Sequence, residues 1–213
     1  MEASRLTEKT RIIAHALFDG WVSVRGSSVY ELGYCNKNRA LVDQFKQDVS
    51  KAYAAKPSNI RLRKNDTWEI TYCSKAILKD LLGIMPTYST RNMRAHLPAR
   101  IMKAPEAYST FLRVFWDDEG TVNYYPQHRT RKLRGPCKPH ALRKQLMQMH
   151  RFLGIVTREE GSHFITIGGA KNFVKFQKRI GFTRGVHVGL AKYGRSIWAG
   201  CEKATLLNLM VKS

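Results

Sequence analysis

The sequence predicts an α+β protein of two halves related by a pseudo-two-fold axis, each reading helix, hairpin, helix, hairpin, helix, with antiparallel sheets. Two stretches half a chain apart have the same shape. Residues 12–20 (IIAHALFDG) and 112–120 (LRVFWDDEG) both run apolar, reach an acid and end in glycine. The segments that follow each stretch repeat one order of period-2 and period-3.6 patterns. With 213 residues, 43% of them hydrophobic, the chain can bury a sizeable core.

Taken in order, the first helix is expected from Thr7 to Phe18, with Thr7 or Ser4 as cap and Gly20 as stop. Residues 21–25 and 29–34 alternate around Gly26-Ser27-Ser28, which is a hairpin pattern. Asn38 is placed to cap a helix over 39–54, where Leu41, Val42, Phe45, Val49 and Tyr53 form one face. A second hairpin follows, 60–64 and 67–72, turning at Asn65-Asp66. Ile60 and Leu62 point one way, and Arg61 and Arg63 the other. Ser74 caps a short helix that Gly83 ends. Residues 84–104, with Pro86, Pro98 and several arginines, join the halves.

The second half repeats the order. A helix runs over about 106–118, and a hairpin pairs 121–125 with 129–134 around Pro126-Gln127-His128. A helix over 140–153 carries Leu142, Leu146, Met149 and Leu153. Strands 156–158 and 163–167 flank Glu159-Glu160-Gly161, and a helix over 170–180 stops at Gly181. Residues 196–211 have helical spacing through Ile197, Cys201, Leu206 and Leu209, and pack on the core. The expected units are 1–104, 105–182 and a tail, 183–213.

An acid in the last turn of a helix faces the negative end of the helix dipole, which is mildly unfavourable. Two such acids at equivalent places, Asp19 and Glu119, imply a use. If the two helices pack side by side, their ends bring both carboxylates together. Paired carboxylates beside a phosphate suit a hard cation such as Mg²⁺. The 37 Lys and Arg against 16 Asp and Glu, a net charge of +21, imply a polyanionic partner, nucleic acid first.

Both stretches resemble the LAGLIDADG motif of homing endonucleases, in the monomeric form with two motifs. Each has its length, its acid at the eighth place and its final glycine, and Asp117 stands at the sixth place of the second. They depart from it at the third place (Ala14, Val114) and the seventh (Phe18, Asp118), where small residues let the two helices approach. The resemblance covers the chain to about residue 182. It implies two α-β-β-α-β-β-α halves whose sheets form a DNA-binding saddle. It also implies a monomer that cuts both strands of a long, partly degenerate target, with staggered ends, using Mg²⁺ or another divalent cation such as Mn²⁺.

Carried over residue by residue, Asp19 and Glu119, with Gly20 and Gly120 beside them, would form the metal site over the minor groove. Arg134, Arg91 and Arg184 fall near positions where such proteins place basic groups that order water; Gly33, at the place matching Arg134, offers no side chain. The residues expected to face DNA are Ser23, Arg25, Arg61, Arg63, Lys64, Thr121, Asn123, Tyr125, Arg131, Lys132, Arg134 and Arg158. A two-stranded ribbon fits the major groove, where arginine reads guanine in bidentate fashion and other cations meet phosphates.

Other patterns are quieter. No run approaches the ~20 apolar residues of a membrane span, and the N-terminus lacks a signal-peptide core, so an intracellular, cytoplasmic protein is expected. The four cysteines form no CxxC pair and read as reduced thiols. The seven histidines form no HExxH, and His15 reads as a packed, hydrogen-bonded side chain. Gly168-Gly169-Ala170-Lys171 lacks phosphate-loop spacing and reads as a turn before a helix. Trp21, Trp68 and Trp116 stand at core-like positions. The competing readings are a non-cleaving nucleic-acid binder on the same fold (an RNA maturase or a DNA-binding regulator) and a basic RNA-associated protein. The presence of both Asp19 and Glu119 favours the nuclease, because a binder need not keep both acids.

Overall fold

The computed structural model describes residues 2–26, 28–91, 93–189 and 197–213. Its centre is a pair of packed helices, α1 (Glu2–Phe18) and α5 (Tyr108–Asp118). Ala14, Ala16, Val114 and Phe115 are buried among the residues of this pair. Phe18 packs its ring against Phe111 and Phe115, at centroid separations of 5.9 and 5.2 Å. The helix pair thus forms without small residues at the seventh motif places.

The side chain of Asp118, at the other seventh place, is fully enclosed. Its carboxylate accepts the Tyr34 hydroxyl at 2.7 Å and lies 2.9 Å from His15 Nδ1. A buried carboxylate without donors would cost several kcal/mol. Here the first half supplies both partners, so a polar clasp replaces the expected close packing. Asp118→Ala strands His15 and the Tyr34 hydroxyl, and is expected to lower stability by about 3 kcal/mol. Urea denaturation checks this, and a midpoint equal to that of the parent would refute the clasp.

Each central helix feeds the same run of elements. β1 (Gly20–Arg25), β2 (Val29–Asn36), α2 (Arg39–Tyr53), β3 (Asn59–Leu62), β4 (Trp68–Cys73) and α3 (Lys75–Ile84) form the first half, with sheet order β1-β2-β4-β3. A one-turn α4 (Ala99–Met102) and a 3₁₀ turn lead into α5. Then β5 (Thr121–Tyr125), β6 (Thr130–Pro136), α6 (His140–Phe152), β7 (Arg158–Glu160), β8 (Phe164–Gly168) and α7 (Ala170–Arg179) give order β5-β6-β8-β7. All pairings are antiparallel. A last helix, α8 (Lys203–Lys212), packs on α7 and β5.

One face of each sheet is closed by helices. Leu32, Tyr34, Ile70 and Tyr72 line it in the first sheet, and Val122, Leu133, Ile165 and Ile167 in the second, all buried. The opposite face of each sheet is polar. Gly20 and Gly120 join helix to sheet, and neither has a positive φ. Their requirement is space: a Cβ would lie 2.6 Å from the Gly33 carbonyl oxygen in one case and 2.4 Å from that of Trp116 in the other.

Several local expectations need correction. α1 starts at Glu2, so Ser4 and Thr7 lie within the helix rather than at its N-terminus. Asn38 precedes α2 but its side chain makes no cap bond; its Oδ1 accepts the His187 amide instead. Gly83 lies within α3. Glu159 and Glu160 belong to β7, and the turn runs over 161–163, with Gly161 at φ 58°. α8 begins at Lys203, and Ile197 and Leu209 are exposed while Leu206, Leu207 and Met210 are buried. Ser27, expected in the first hairpin turn, and Ser196 lie outside the described residues. Among the described residues no helix is long and apolar enough to cross a membrane.

Candidate active site

The last turns of α1 and α5 deliver Asp19 and Glu119 to one cleft of about 630 Å³, lined also by Asn36, Asp117, Asp118, Tyr125 and Lys203. Asp19 also borders a second cleft of about 620 Å³, with Gly20, Trp21, Arg63 and Arg91. Gly120 lines the first cleft. Packing the two helices in parallel places the paired acids together, as the spacing predicts.

The carboxylates are strained by their surroundings. Burial, then the charges of Asp118 and Glu119, push Asp19 up to about 8, while the Asn36 amide, donating at 2.9 Å, and Lys203 pull it down. Burial and Asp118 raise Glu119 to about 7 against the pull of Lys203. Asp117 is raised by burial to about 6, although it accepts the Thr183 amide at 3.1 Å and lies near Lys203. Like charges held in a desolvated cleft favour protons, or another cation, between them.

Lys203 is the residue that the sequence did not reveal. It is 6% exposed, and its ammonium donates to the carbonyls of Trp116 and Asp117 at 3.1 and 2.7 Å. It thereby caps the C-terminus of α5, where a cation is favourable. Burial lowers its pKa, opposed by Asp117, Asp118, Asp19 and Glu119. The tail therefore contributes a charge to the site.

A folded-state pKa raised above its unfolded value gives a stabilising term that is complete below the unfolded value and is lost as pH rises through the folded one. For Asp19 and Glu119 that window runs from about 4 to about 8 in the metal-free protein. The Asp19→Asn/Glu119→Gln double variant lacks the term. In chelator it is expected to gain stability over the parent between pH 5 and pH 8, by about 3 kcal/mol. Urea midpoints at the two pH values check this; a constant difference would mean that the carboxylates are not strained.

Among the described residues no cluster of three or more His, Cys, Asp and Glu side chains forms a metal cage. Asp19 and Glu119 fit a cation that takes one or two carboxylates and completes its sphere with water and phosphate oxygens, as Mg²⁺ does. Of the three arginines expected beside the acids, Arg91 lines the second cleft. Arg134 and Arg184 line neither. Arg134 lies 3.3 Å from Glu160 and stacks on the Phe164 ring at 3.4 Å.

Strand pairing sorts the remaining candidates. Ser23, Arg25, Arg61 and Arg63 lie on the polar side of the first sheet, as do Thr121, Asn123, Tyr125, Lys132, Arg134 and Arg158 in the second. Lys64 is exposed in the β3–β4 turn. Arg131 does not belong with them. It pairs with Tyr124 on the helix-covered side, and its guanidinium donates to the Met210 carbonyl and the Ser213 hydroxyl at the end of α8.

Trp21 departs in the opposite direction. It shares the polar side with Ser23, its ring lies over Gly33, and its indole donates to Glu31 at 2.6 Å. Trp116 is fully buried as expected, and Trp68 is half-buried with Arg39 over its ring at 4.1 Å. His15 is packed and hydrogen-bonded, as read from the sequence.

No family model matches the chain, and no curated protein matches it significantly. Solved structures do. A variant of I-DmoI, in complex with its target DNA in the presence of manganese, superposes with TM-score 0.62 at 14% identity, over 83% of this chain and 94% of that one. The homing endonuclease I-WcaI, bound to its DNA recognition sequence, gives 0.57 at 14%, over 82% and 80%. The N-terminal LAGLIDADG domain of DUF199/WhiA gives 0.57 at 13%, over 84% and 83%. The shared order of elements, the central helix pair and these superpositions agree: the chain has the LAGLIDADG fold, with both motif helices and both sheets in a single polypeptide.

Proposed function

We propose that the protein is a site-specific DNA endonuclease of the homing type, working as a monomer with a divalent cation, Mg²⁺ or Mn²⁺. The observation that supports this most is the meeting of Asp19 and Glu119, one from each half, in a cleft at the junction of two sheets whose free faces are polar and rich in cations. A chain of net charge +21 is attracted to a duplex, and antiparallel ribbons fit its major groove. Residues 1–104 and 105–182 act as the two units, each addressing half of the target, and 183–213 as a tail that completes the site through Lys203.

Asp19 and Glu119 are the ligands in this reading, and the cation, when bound, activates water and stabilises the leaving oxygen of the phosphodiester. Asn36 orients Asp19. Lys203 lowers the proton affinity of both carboxylates. Arg91, beside Asp19 in the second cleft, is placed to meet a phosphate.

The test is cleavage of total DNA from a strain lacking this gene, with Mg²⁺ and with Mn²⁺, followed by sequencing of the new ends. A few discrete staggered breaks are expected. A second reading, a non-cleaving nucleic-acid binder on the same fold, draws on the absence of a ready metal cage among the described residues. Salt-sensitive duplex binding with no breaks would establish it instead.

A further inference from the structure

The polar faces of the two sheets carry glutamates as well as cations, which is unexpected on a surface meant for a polyanion. Glu69 on β4 lies opposite Arg61 and is only 3% exposed, although it faces away from the core. Two guanidinium groups cover it. Arg61 donates Nε to its Oε1 at 2.7 Å, and Arg63 pairs with its Oε2.

The second sheet reaches the same arrangement by another route. Glu160 on β7 accepts the Lys132 ammonium on both oxygens, at 2.9 and 3.1 Å, and pairs with Arg134 at 3.3 Å. By strand pairing Glu160 occupies the place that Arg61 holds in the first half, and Phe164 the place of Glu69. The halves therefore carry opposite charges at one matching position, Arg61 against Glu160, yet each contains a carboxylate that holds two cations. Arg158, on the same face, has no carboxylate partner among the described residues.

Resting on the proposed function, we propose that Glu69 and Glu160 are specificity determinants: they fix their paired cations for contact with base edges and weaken those cations as phosphate ligands. A guanidinium whose charge is met by a carboxylate gains little from releasing counterions at a phosphate. It keeps its outward N–H groups in a fixed fork, which suits the O6 and N7 of guanine. A phosphate brought to the same place would meet the carboxylate and be repelled. The glutamates thus penalise sequence-independent binding while the held arginines and lysine read sequence.

The test uses Glu69→Gln and Glu160→Gln in the full chain, both near isosteric. Each protein is titrated into a fluorescein-labelled 30-base-pair duplex of arbitrary sequence over a range of NaCl concentrations, and each is used to select from a duplex library with randomised positions. Freeing two cations is expected to tighten binding to the arbitrary duplex about tenfold and steepen its logarithmic salt slope by about 1. The selected motif should lose preference at two or three positions. Arg61→Ala should blur the motif with little change of salt slope, and Arg158→Ala should lower the slope by about 1 without blurring it.

Unchanged or weaker binding to the arbitrary duplex, with the parental motif intact, would overturn the proposal. If Glu69→Gln fails to fold by circular dichroism, Glu160→Gln, whose carboxylate is 38% exposed, decides alone. A parent protein that selects no motif would instead refute the proposed function, which separates the two failures.

Discussion

Asp19→Asn and Glu119→Gln are each expected to cut DNA cleavage by at least about a thousandfold, some 4 kcal/mol of barrier, while leaving duplex affinity within about threefold of the parent. Each change removes one charge and no atoms. The residues proposed to face a duplex lie on the sheets, away from these two carboxylates, so binding has no reason to fail. Each carboxylate already holds its charge at a cost, raised to about 8 and about 7, so neutralising one relieves its neighbours and the variants should melt no lower than the parent. Single-turnover cleavage beside anisotropy titration separates the two effects. Binding lost in step with cleavage would give the acids a structural role and withdraw the metal site.

Lys203→Met is expected to produce the second large effect, from a residue outside both motifs. The substitution keeps most of the length and removes the ammonium that caps α5 at the Trp116 and Asp117 carbonyls. It also leaves Asp19, Asp117, Asp118 and Glu119 without the buried cation that now offsets them. Breaking a buried charge arrangement on one side typically costs about 3 kcal/mol or more. The remaining carboxylates should hold protons more tightly, so the rising limb of cleavage against pH should move up by about one unit. Denaturation midpoints and a pH profile measured at one DNA concentration check both parts. A variant with the parental midpoint and profile would show that the ammonium is dispensable.

Much of the site was legible because its pattern is local. The apolar run, the acid and the glycine of each motif are contiguous, and the half-chain repeat announces that two such ends exist. Alternation along strands sorts most of the polar faces, and it placed Ser23, Arg61 and Arg63 correctly. The same rule also places the two residues that depart from the side their type suggests. Trp21 has the parity of Ser23 and Arg25 and lies with them. Arg131 has the parity of Leu133, which is buried, and so turns to the helix side. In both cases position outweighs residue type: the tryptophan sits on the polar face and the arginine on the helix-covered one.

Asn38 failed for another reason. Its place before α2 matched the capping rule, but the amide of His187, distant in sequence, took its side chain. Local rules of this kind hold only where no distant group competes.

The sequence by itself determined the α+β order, the duplication, the two motif acids and the basic surface, because each is written in neighbouring residues or in composition. Only the tertiary structure decided what joins them. That Asp118 is held by His15 and Tyr34, that Lys203 from the tail reaches the end of α5, and that Glu69 and Glu160 each hold two cations are facts about residues on different elements. Charges interact through space at a few ångströms and carry no periodic mark along the chain, so their pairing exists only once the backbone has brought the elements together.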